Sequence, residues 1–239
     1  MTIKTLYIYL SLFTAVLLFL IGNYTISKTF SSQNKSKNKR ILLGFGLIGW
    51  LVYIYLIGES GFLLNFDFPP RFFLFMVLPA FIFTGVFLYK NRKNDWIKNI
   101  PKSWLIYFQT FRIGVELLFV YSLTEGLLNK EVTWEGYNYD LLMGITAPIL
   151  GFLVFNRNII SQKVALWWNY LGILILASVI FLFISSLYLP QLFGSETVLL
   201  PKEVGSFPLV LIAGFLMPSA VFIHFLSIIQ LSGNLSNKN

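Results

Sequence analysis

Seven long apolar stretches, separated by short polar ones, run along the chain. Each has close to the ~20 residues that a helix needs to cross a bilayer core of ~30 Å. The backbone must satisfy its own hydrogen bonds in hydrocarbon, and the stretches lack the alternation of barrel strands, so they predict helices. The predicted spans are residues 5–22, 41–64, 72–89, 104–127, 141–156, 164–189 and 207–231.

The composition agrees with this pattern. Of the 239 residues, 56% are hydrophobic and 12% are charged, whereas a soluble domain has about 25% charged residues. No polar stretch is long enough to fold alone. We therefore expect an all-α fold, a polytopic membrane helix bundle that forms a single transmembrane domain over residues 1–239.

Basic residues fall in alternate loops, which predicts an orientation. One side would carry thirteen of them: Lys28, Lys35, Lys37, Lys39, Arg40, Lys90, Arg92, Lys93, Lys98, Lys102, Arg157, Lys163 and Lys238. The other would carry four, with eight acids: Glu59, Asp67, Glu125, Glu131, Glu135, Asp140, Glu196 and Glu203. The positive-inside rule then puts the N-terminus outside and the C-terminus in the cytoplasm. Residues 27–40, rich in Ser, Asn and Lys, read as a solvated, flexible linker.

The fourth predicted span contains Gln109, Arg112 and Glu116, which are costly in lipid. A central arginine costs roughly 2.5–3.5 kcal/mol on insertion scales, and an acid is similarly unfavourable unless it is paired. Arg112 and Glu116 are four residues apart and share a helix face. They predict either an internal salt bridge that orients the helix or a buried polar site for a substrate, ion or proton.

A second polar stripe lies in span seven, where His224 and Ser227 occupy adjacent turns of one face. His224 is a candidate proton relay or ligand, or else a neutral histidine bonded to a neighbouring helix. With Gln109, Arg112 and Glu116, these two residues make up the candidate intramembrane polar site.

The loop before span five is aromatic and acidic, and it permits two interpretations. Asp140 is a plausible N-cap for the fifth helix, beneath an interfacial belt of tryptophan and tyrosine. Alternatively, the loop forms an external mouth that attracts a cation or a basic ligand. The candidate residues of that mouth are Glu131, Trp134, Glu135, Asn138 and Asp140.

Prolines fall within three spans, at Pro79, Pro148 and Pro218, where each removes a backbone hydrogen bond. The sequences around Pro79 and Pro218 are loosely alike, which raises the alternative of an internal repeat. The similarity does not extend to the other spans, and this favours chance.

Cysteine is missing from the chain and histidine occurs once, so disulfides, thiolate sites and sites with several histidine ligands are excluded. We expect no metal and no cofactor. The expected partners are membrane lipids, with a small solute, an ion or a partner membrane protein as further candidates. The net charge of +8 is explained by topology, so no nucleic acid is expected.

Four polar motifs lie in the second half of the chain. They are Phe111-Arg112-Ile113-x-Val115-Glu116, Glu135-Gly136-x-Asn138-x-Asp140-x-Leu142-x-Gly144-x-Thr146-Ala147-Pro148, Trp168-Asn169-x-x-Gly172 and His224-x-x-Ser227-x-x-Gln230-Leu231. Over about residues 104–231 the chain resembles a family of uncharacterised bacterial multi-pass membrane proteins. The resemblance implies only a location in the inner membrane and a helical architecture. It does not point to any particular activity.

These observations support three functional hypotheses. The first is a transporter or sensor that handles a small solute or ion at the polar site. The second is a structural or accessory membrane subunit whose polar residues hold helices together. The third is a lipid-acting enzyme that uses Glu116, His224 and Asp140. It ranks lowest because Asp140 would lie toward the outside and His224 toward the cytoplasm, so the two would not share one site.

Overall fold

The computed structural model describes residues 2–67, 69–195 and 199–236, and within them it is helical without a β-strand. Among the described residues, six helices are long enough and apolar enough to cross a membrane. They are Ile3–Thr29, Gln33–Glu59, Phe73–Asn91, Lys102–Thr124, Gln162–Tyr188 and Ile212–Gly233. A shorter apolar helix, Asp140–Asn156, lies at the position of the fifth predicted span.

Several of these helices are interrupted. The α-helical parts are α1 (Ile3–Thr29), α2 (Gln33–Glu59), α3 (Leu78–Asn91), α4 (Lys102–Phe108), α5 (Phe111–Thr124), α6 (Asp140–Gly151), α7 (Gln162–Tyr188) and α8 (Met217–Ser236). Three π-helical segments adjoin them: Phe73–Val77, Phe152–Asn156 and Ile212–Leu216. Short 3₁₀ helices occupy Phe62–Leu64, Asp95–Asn99, Lys130–Val132, Pro190–Phe193 and Lys202–Gly205.

The last helix is the centre of the bundle. In its apolar window 72% of the residues are buried, against 11% for α2. It packs against α3, α4 and α7, while α2 packs mainly on α1. Large side chains such as Phe45 therefore project outward from α2, as expected for a surface that faces lipid.

Contacts between loops place the basic segments at one end of the bundle. Asn99 Nδ2 donates to Thr29 Oγ1 at 3.0 Å, and Lys102 Nζ donates to Gln162 Oε1 at 2.9 Å. Gln230 Nε2 donates to the carbonyls of Ile97 and Ile100, both at 2.7 Å. Of the charges used to predict the orientation, Glu196 and Lys238 lie outside the described residues.

The flexible linker predicted over residues 27–40 is wrong. Helix α1 continues to Thr29 and α2 begins at Gln33, so the basic segment forms the first two turns of a helix. Lysine and arginine are good helix formers, and α1 and α2 pack against each other and extend past the apolar region.

Two of the three prolines are compensated by the same helix. Pro218 cannot donate to the carbonyl four residues earlier, and that carbonyl, of Gly214, accepts from Trp50 Nε1 at 2.8 Å. Likewise Pro79 leaves the carbonyl of Phe75 free, and it accepts from Tyr53 Oη at 2.6 Å. The rings of the two α2 donors stack with their centroids 5.1 Å apart. The sequences around Pro79 and Pro218 are thus alike in structure too. Each proline follows a π-helical segment, and at each an aromatic side chain donates to the carbonyl that the proline leaves free.

We expect Tyr53→Phe to destabilise the protein by about 1 kcal/mol, because it leaves the Phe75 carbonyl without a donor in an apolar environment. The measurement is the free energy of unfolding in a mixed-micelle denaturant titration. The matched control is Tyr55→Phe on the same helix, whose ring packs edge-on against Phe207 and keeps that contact. Equal losses in the two variants would contradict the role assigned to the Tyr53 hydroxyl.

Candidate functional site

The candidate site begins where the fourth span is broken. The amides of Gln109, Thr110, Arg112 and Ile113 each bond to the carbonyl three residues earlier, at 3.1 Å. This 3₁₀-type turn, at Gln109 and Thr110, separates α4 from α5 although it contains no glycine or proline. Only Phe111 lies between the turn and Arg112. A mid-helix stretch of this kind often marks a functional or strained position.

Helix α6 approaches α5 closely at this point. A Cβ on Gly144 would lie 2.8 Å from the backbone nitrogen of Ile113, so only glycine fits there. The close approach brings Asp140, four residues earlier, to the Arg112 guanidinium. Arg112 Nε donates to Asp140 Oδ2 at 2.8 Å, and the second guanidinium nitrogen pairs with Oδ1. The result is a bidentate ion pair, the strongest geometry for such a contact.

This geometry corrects two predictions. The salt-bridge partner of Arg112 is Asp140 rather than Glu116, because the arginine side chain reaches across to the neighbouring helix instead of along its own. Asp140 is also not an N-cap. Tyr139 holds that position, Asp140 is the first helical residue, and its amide bonds to Asn138 Oδ1 at 2.9 Å.

Arg112 extends the network to the last two helices. Its remaining guanidinium nitrogen lies 3.0 Å from His224 Nε2. Arginine can only donate, so Nε2 accepts and the imidazole carries its proton on Nδ1. Nδ1 then donates to Asn169 Oδ1 at 2.9 Å, and Asn169 Nδ2 donates to Ser227 Oγ at 3.0 Å. One chain of hydrogen bonds therefore joins α5, α6, α7 and α8.

Gly172 leaves space for the His224 side chain, and Trp168 packs against it. A Cβ on Gly172 would lie 2.5 Å from His224 Nε2, so this glycine lets α7 pass over the imidazole. The Trp168 ring packs on the imidazole with centroids 5.4 Å apart, and its Nε1 donates to Thr146 Oγ1 at 3.0 Å. Trp168 and Asn169, which the sequence analysis did not include among the candidate site residues, belong to this site.

Asp140 and His224 share one partner, contrary to the expectation that they lie at opposite sides. The expectation took α8 to end near Leu231, but the helix continues to Ser236. His224 is therefore twelve residues, or about 18 Å, from that end. The loop before Asp140 also turns back into the bundle, so α6 starts inside it.

Glu116 holds that returning loop in place. Its Oε1 accepts from the backbone amide of Trp134 at 2.6 Å, and its Oε2 accepts from Asn138 Nδ2 at 3.2 Å. Asn138 also donates to the carbonyl of Val132 at 3.1 Å. The loop bends tightly at Gly136, where a Cβ would meet the carbonyl oxygen of Lys130 at 2.5 Å.

The residues proposed for an external mouth are thereby divided. Asn138 and Asp140 are buried parts of the network, with 1% and 7% of their surfaces exposed. Trp134 and Glu135 are exposed, and Glu131 is partly buried. Because Asp140 is turned inward to Arg112, it does not join Glu131 and Glu135 in an open acidic cluster.

Gln109 lies beside the network rather than in it. Its Nε2 donates to the carbonyl of Ala220 at 3.1 Å, and its buried Oε1 has no hydrogen-bond partner among the described residues. A further polar contact, which sequence reasoning missed, joins Tyr7 Oη to Ser122 Oγ at 2.8 Å and ties α1 to α5. Neither residue is unusual for a span, so the sequence carries no signal for this pair.

An apolar cavity of about 80 Å³ lies against the ion pair. Arg112, Asn138 and Asp140 line its polar end, and most of the remaining wall consists of aliphatic and phenyl side chains from the segment 72–77, α5, α7 and the last helix. A second, more open apolar groove of about 210 Å³ lies between α3 and α8, away from the network.

The chemistry of the site is that of a compensated charge. The charges of Arg112 and Asp140 neutralise each other, and Glu116 accepts only from uncharged donors. Both imidazole nitrogens of His224 are engaged. Among the described residues no group of three or more His, Asp or Glu side chains is placed to hold a metal ion. The site as described is a hydrogen-bonded ion pair beside an apolar cavity.

No family model, curated protein or solved structure matches the chain.

We expect Arg112→Leu to destabilise the protein by about 3–5 kcal/mol, because it leaves Asp140 buried without its counter-charge. The double variant Arg112→Leu/Asp140→Leu should recover most of that loss. The matched comparison is Arg112→Leu/Glu116→Leu, which leaves Asp140 unpaired and should not recover. Free energies of unfolding in mixed micelles decide between them, and recovery by the Glu116 double variant alone would contradict the pairing seen here.

Proposed function

We propose that the chain is a seven-span protein of the bacterial inner membrane, with its N-terminus outside and its C-terminus in the cytoplasm. The basic loops meet at one end of the bundle, and this supports the assignment of that end to the cytoplasm. Helix Asp140–Asn156 is the fifth of the seven spans in this proposal, although it is short. The loop held by Glu116 fills the outer part of the layer above α6, which accounts for the shortness.

Because the chain has no cysteine, single introduced cysteines report on this topology directly. We expect a membrane-impermeant maleimide to label Ser60→Cys and Glu135→Cys on intact cells. Lys37→Cys and Ser161→Cys should react only after the cells are permeabilised. Equal labelling of Glu135→Cys and Ser161→Cys on intact cells would show that α6 does not cross, and labelling of Lys37→Cys there would reverse the orientation.

Within this topology the protein binds a small molecule at the intramembrane site, as a transporter or as a sensor. The observation that carries the proposal is the cavity that ends on the Arg112–Asp140 pair. A mostly apolar pocket with a few convergent polar groups is the usual form of a ligand site. Arg112 is connected through His224 and Asn169 to α7 and α8, the two helices that pack most extensively against each other, so its surroundings affect both.

A second candidate, a structural or accessory subunit, is favoured by a different observation. Each polar group from Asp140 to Ser227 along the hydrogen-bonded chain has a partner, as expected when polar residues only fix helix packing. In that case the cavity is a packing defect and holds nothing specific. The two candidates differ in what the purified protein carries with it.

The test is a mass-spectrometric comparison of organic extracts from the purified protein. Ala213 lines the cavity on the last helix, and Ala213→Phe would fill it. Ala177→Phe adds the same ring on the exposed side of α7, outside the cavity, and is the matched control. We expect a molecule that is retained by wild-type protein and by Ala177→Phe and is lost from Ala213→Phe. Identical extracts from all three proteins would favour the structural candidate.

A further inference from the structure

The cavity is a cleft that opens sideways between two helices. Helices α3 and α7 both pack against the last helix but have few contacts with each other. The cavity lies in the gap, with the segment Phe72–Val77 on one side and α7 on the other. Ile184 and Tyr188, at its α7 edge, are 38% and 40% exposed. A molecule dissolved in the lipid can therefore enter without passing through a polar channel.

The polar end of this cleft offers donors rather than acceptors. A guanidinium has five N–H groups, and the hydrogen bonds of Arg112 to Asp140 and His224 use three. Among the described residues no further acceptor bonds to the guanidinium, so two N–H groups remain on a side chain that lines the cavity. Both oxygens of Asp140 are already bound to the arginine, and the Asn138 amide is bound to Glu116, Val132 and Asp140.

The charges around the cleft disfavour an ionic occupant. Asp140 already compensates the charge of Arg112, and Glu116, one turn further along α5, adds a second carboxylate nearby. An anion would be repelled by these carboxylates, and a cation would be repelled by the Arg112 guanidinium at the end of the cavity. An unpaired ion in an apolar wall is also costly in itself. The complementary group is a neutral oxygen acceptor.

Resting on the proposed function, we infer that the site takes a neutral, carbonyl-bearing hydrophobic molecule, which enters from the lipid between α3 and α7 and accepts hydrogen bonds from Arg112. Its carbonyl oxygen lies at the two remaining N–H groups, and its hydrocarbon chain leaves the cavity of about 80 Å³ through the opening between α3 and α7. The ion pair with Asp140 stays closed, because the ligand uses donors that this pair leaves over.

Four probes with the same hydrocarbon chain test this inference: methyl dodecanoate, dodecane, dodecanoate and dodecylammonium. Binding is measured by native mass spectrometry of the protein released from nanodiscs. We expect methyl dodecanoate to bind about three- to tenfold more tightly than dodecane, since one net hydrogen bond contributes that much. Both ionic probes should bind more weakly than the ester.

The variants separate the cavity from general partition into the lipid. Ester binding should be lost in Ala213→Phe and in Ile180→Trp, which fills the cleft from the opposite helix, and kept in Ala177→Phe. The ester-to-dodecane ratio is measured on the unaltered protein, so it does not depend on any variant folding.

Three results would overturn the inference. Tighter binding of dodecanoate or dodecylammonium would exclude a neutral occupant, and equal binding of ester and dodecane would exclude the contact with Arg112. Ester binding that all three variants retain would place the probe outside the cleft. The proposed function is tested separately, by a co-purified molecule that wild-type protein retains and Ala213→Phe loses. That result could stand even if the probe experiment contradicts the inference.

Discussion

The buried guanidinium of Arg112 is the group around which the second half of the molecule is arranged. A single positive charge, 1% exposed in the interior of a membrane bundle, requires a counter-charge and acceptors from several directions. Asp140 supplies the charge from α6, and His224 supplies a ring nitrogen from α8. Each acceptor then fixes its own helix. Gly144 and Gly172 are needed because side chains at those positions would hold α6 and α7 away from the network.

The same rule, that polar groups in hydrocarbon must find partners inside the protein, explains the irregular helices elsewhere. Pro79 and Pro218 each free one carbonyl, and the stacked Trp50 and Tyr53 of α2 satisfy them. Helix α2 is mostly exposed, yet these two bonds connect it to the bundle core. Its place is therefore determined by polar contacts at two points as well as by its apolar packing on α1.

Much of the helical architecture could be predicted from hydrophobicity, because an apolar run of about 20 residues has one stable form in lipid. The chemical identity of the site was partly predictable too. Arg112 and His224 stand out by their cost in an apolar segment, and Ser227 shares a helix face with His224. The pairing was not predictable, because spacing along one helix points to Glu116, whereas a long side chain can equally reach another helix. The break at Gln109 has no glycine or proline to signal it.

Asp140 shows most clearly where reasoning from the sequence stops. A topology diagram puts it at the outer end of its span, far from His224, because loops are drawn outside the layer. The loop before it turns inward instead, since the Glu116 carboxylate offers its oxygens to a backbone amide and to Asn138. Glu116 thus acts on the ion pair without touching it: it positions the loop, Asn138 Oδ1 then holds the Asp140 amide, and α6 begins where Arg112 can reach it.

This arrangement also bears on how a ligand could be sensed. Arg112 is held by Asp140 through two bonds and by His224 through one, so a shift of the guanidinium toward a ligand oxygen would strain the single bond to His224 first. His224 is in turn bonded to Asn169, which is bonded to Ser227, and these bonds join α7 to α8, the two helices that pack most extensively against each other. A molecule in the cleft would therefore act on the packing of α7 and α8 through Arg112, while the Asp140 ion pair keeps the guanidinium in place.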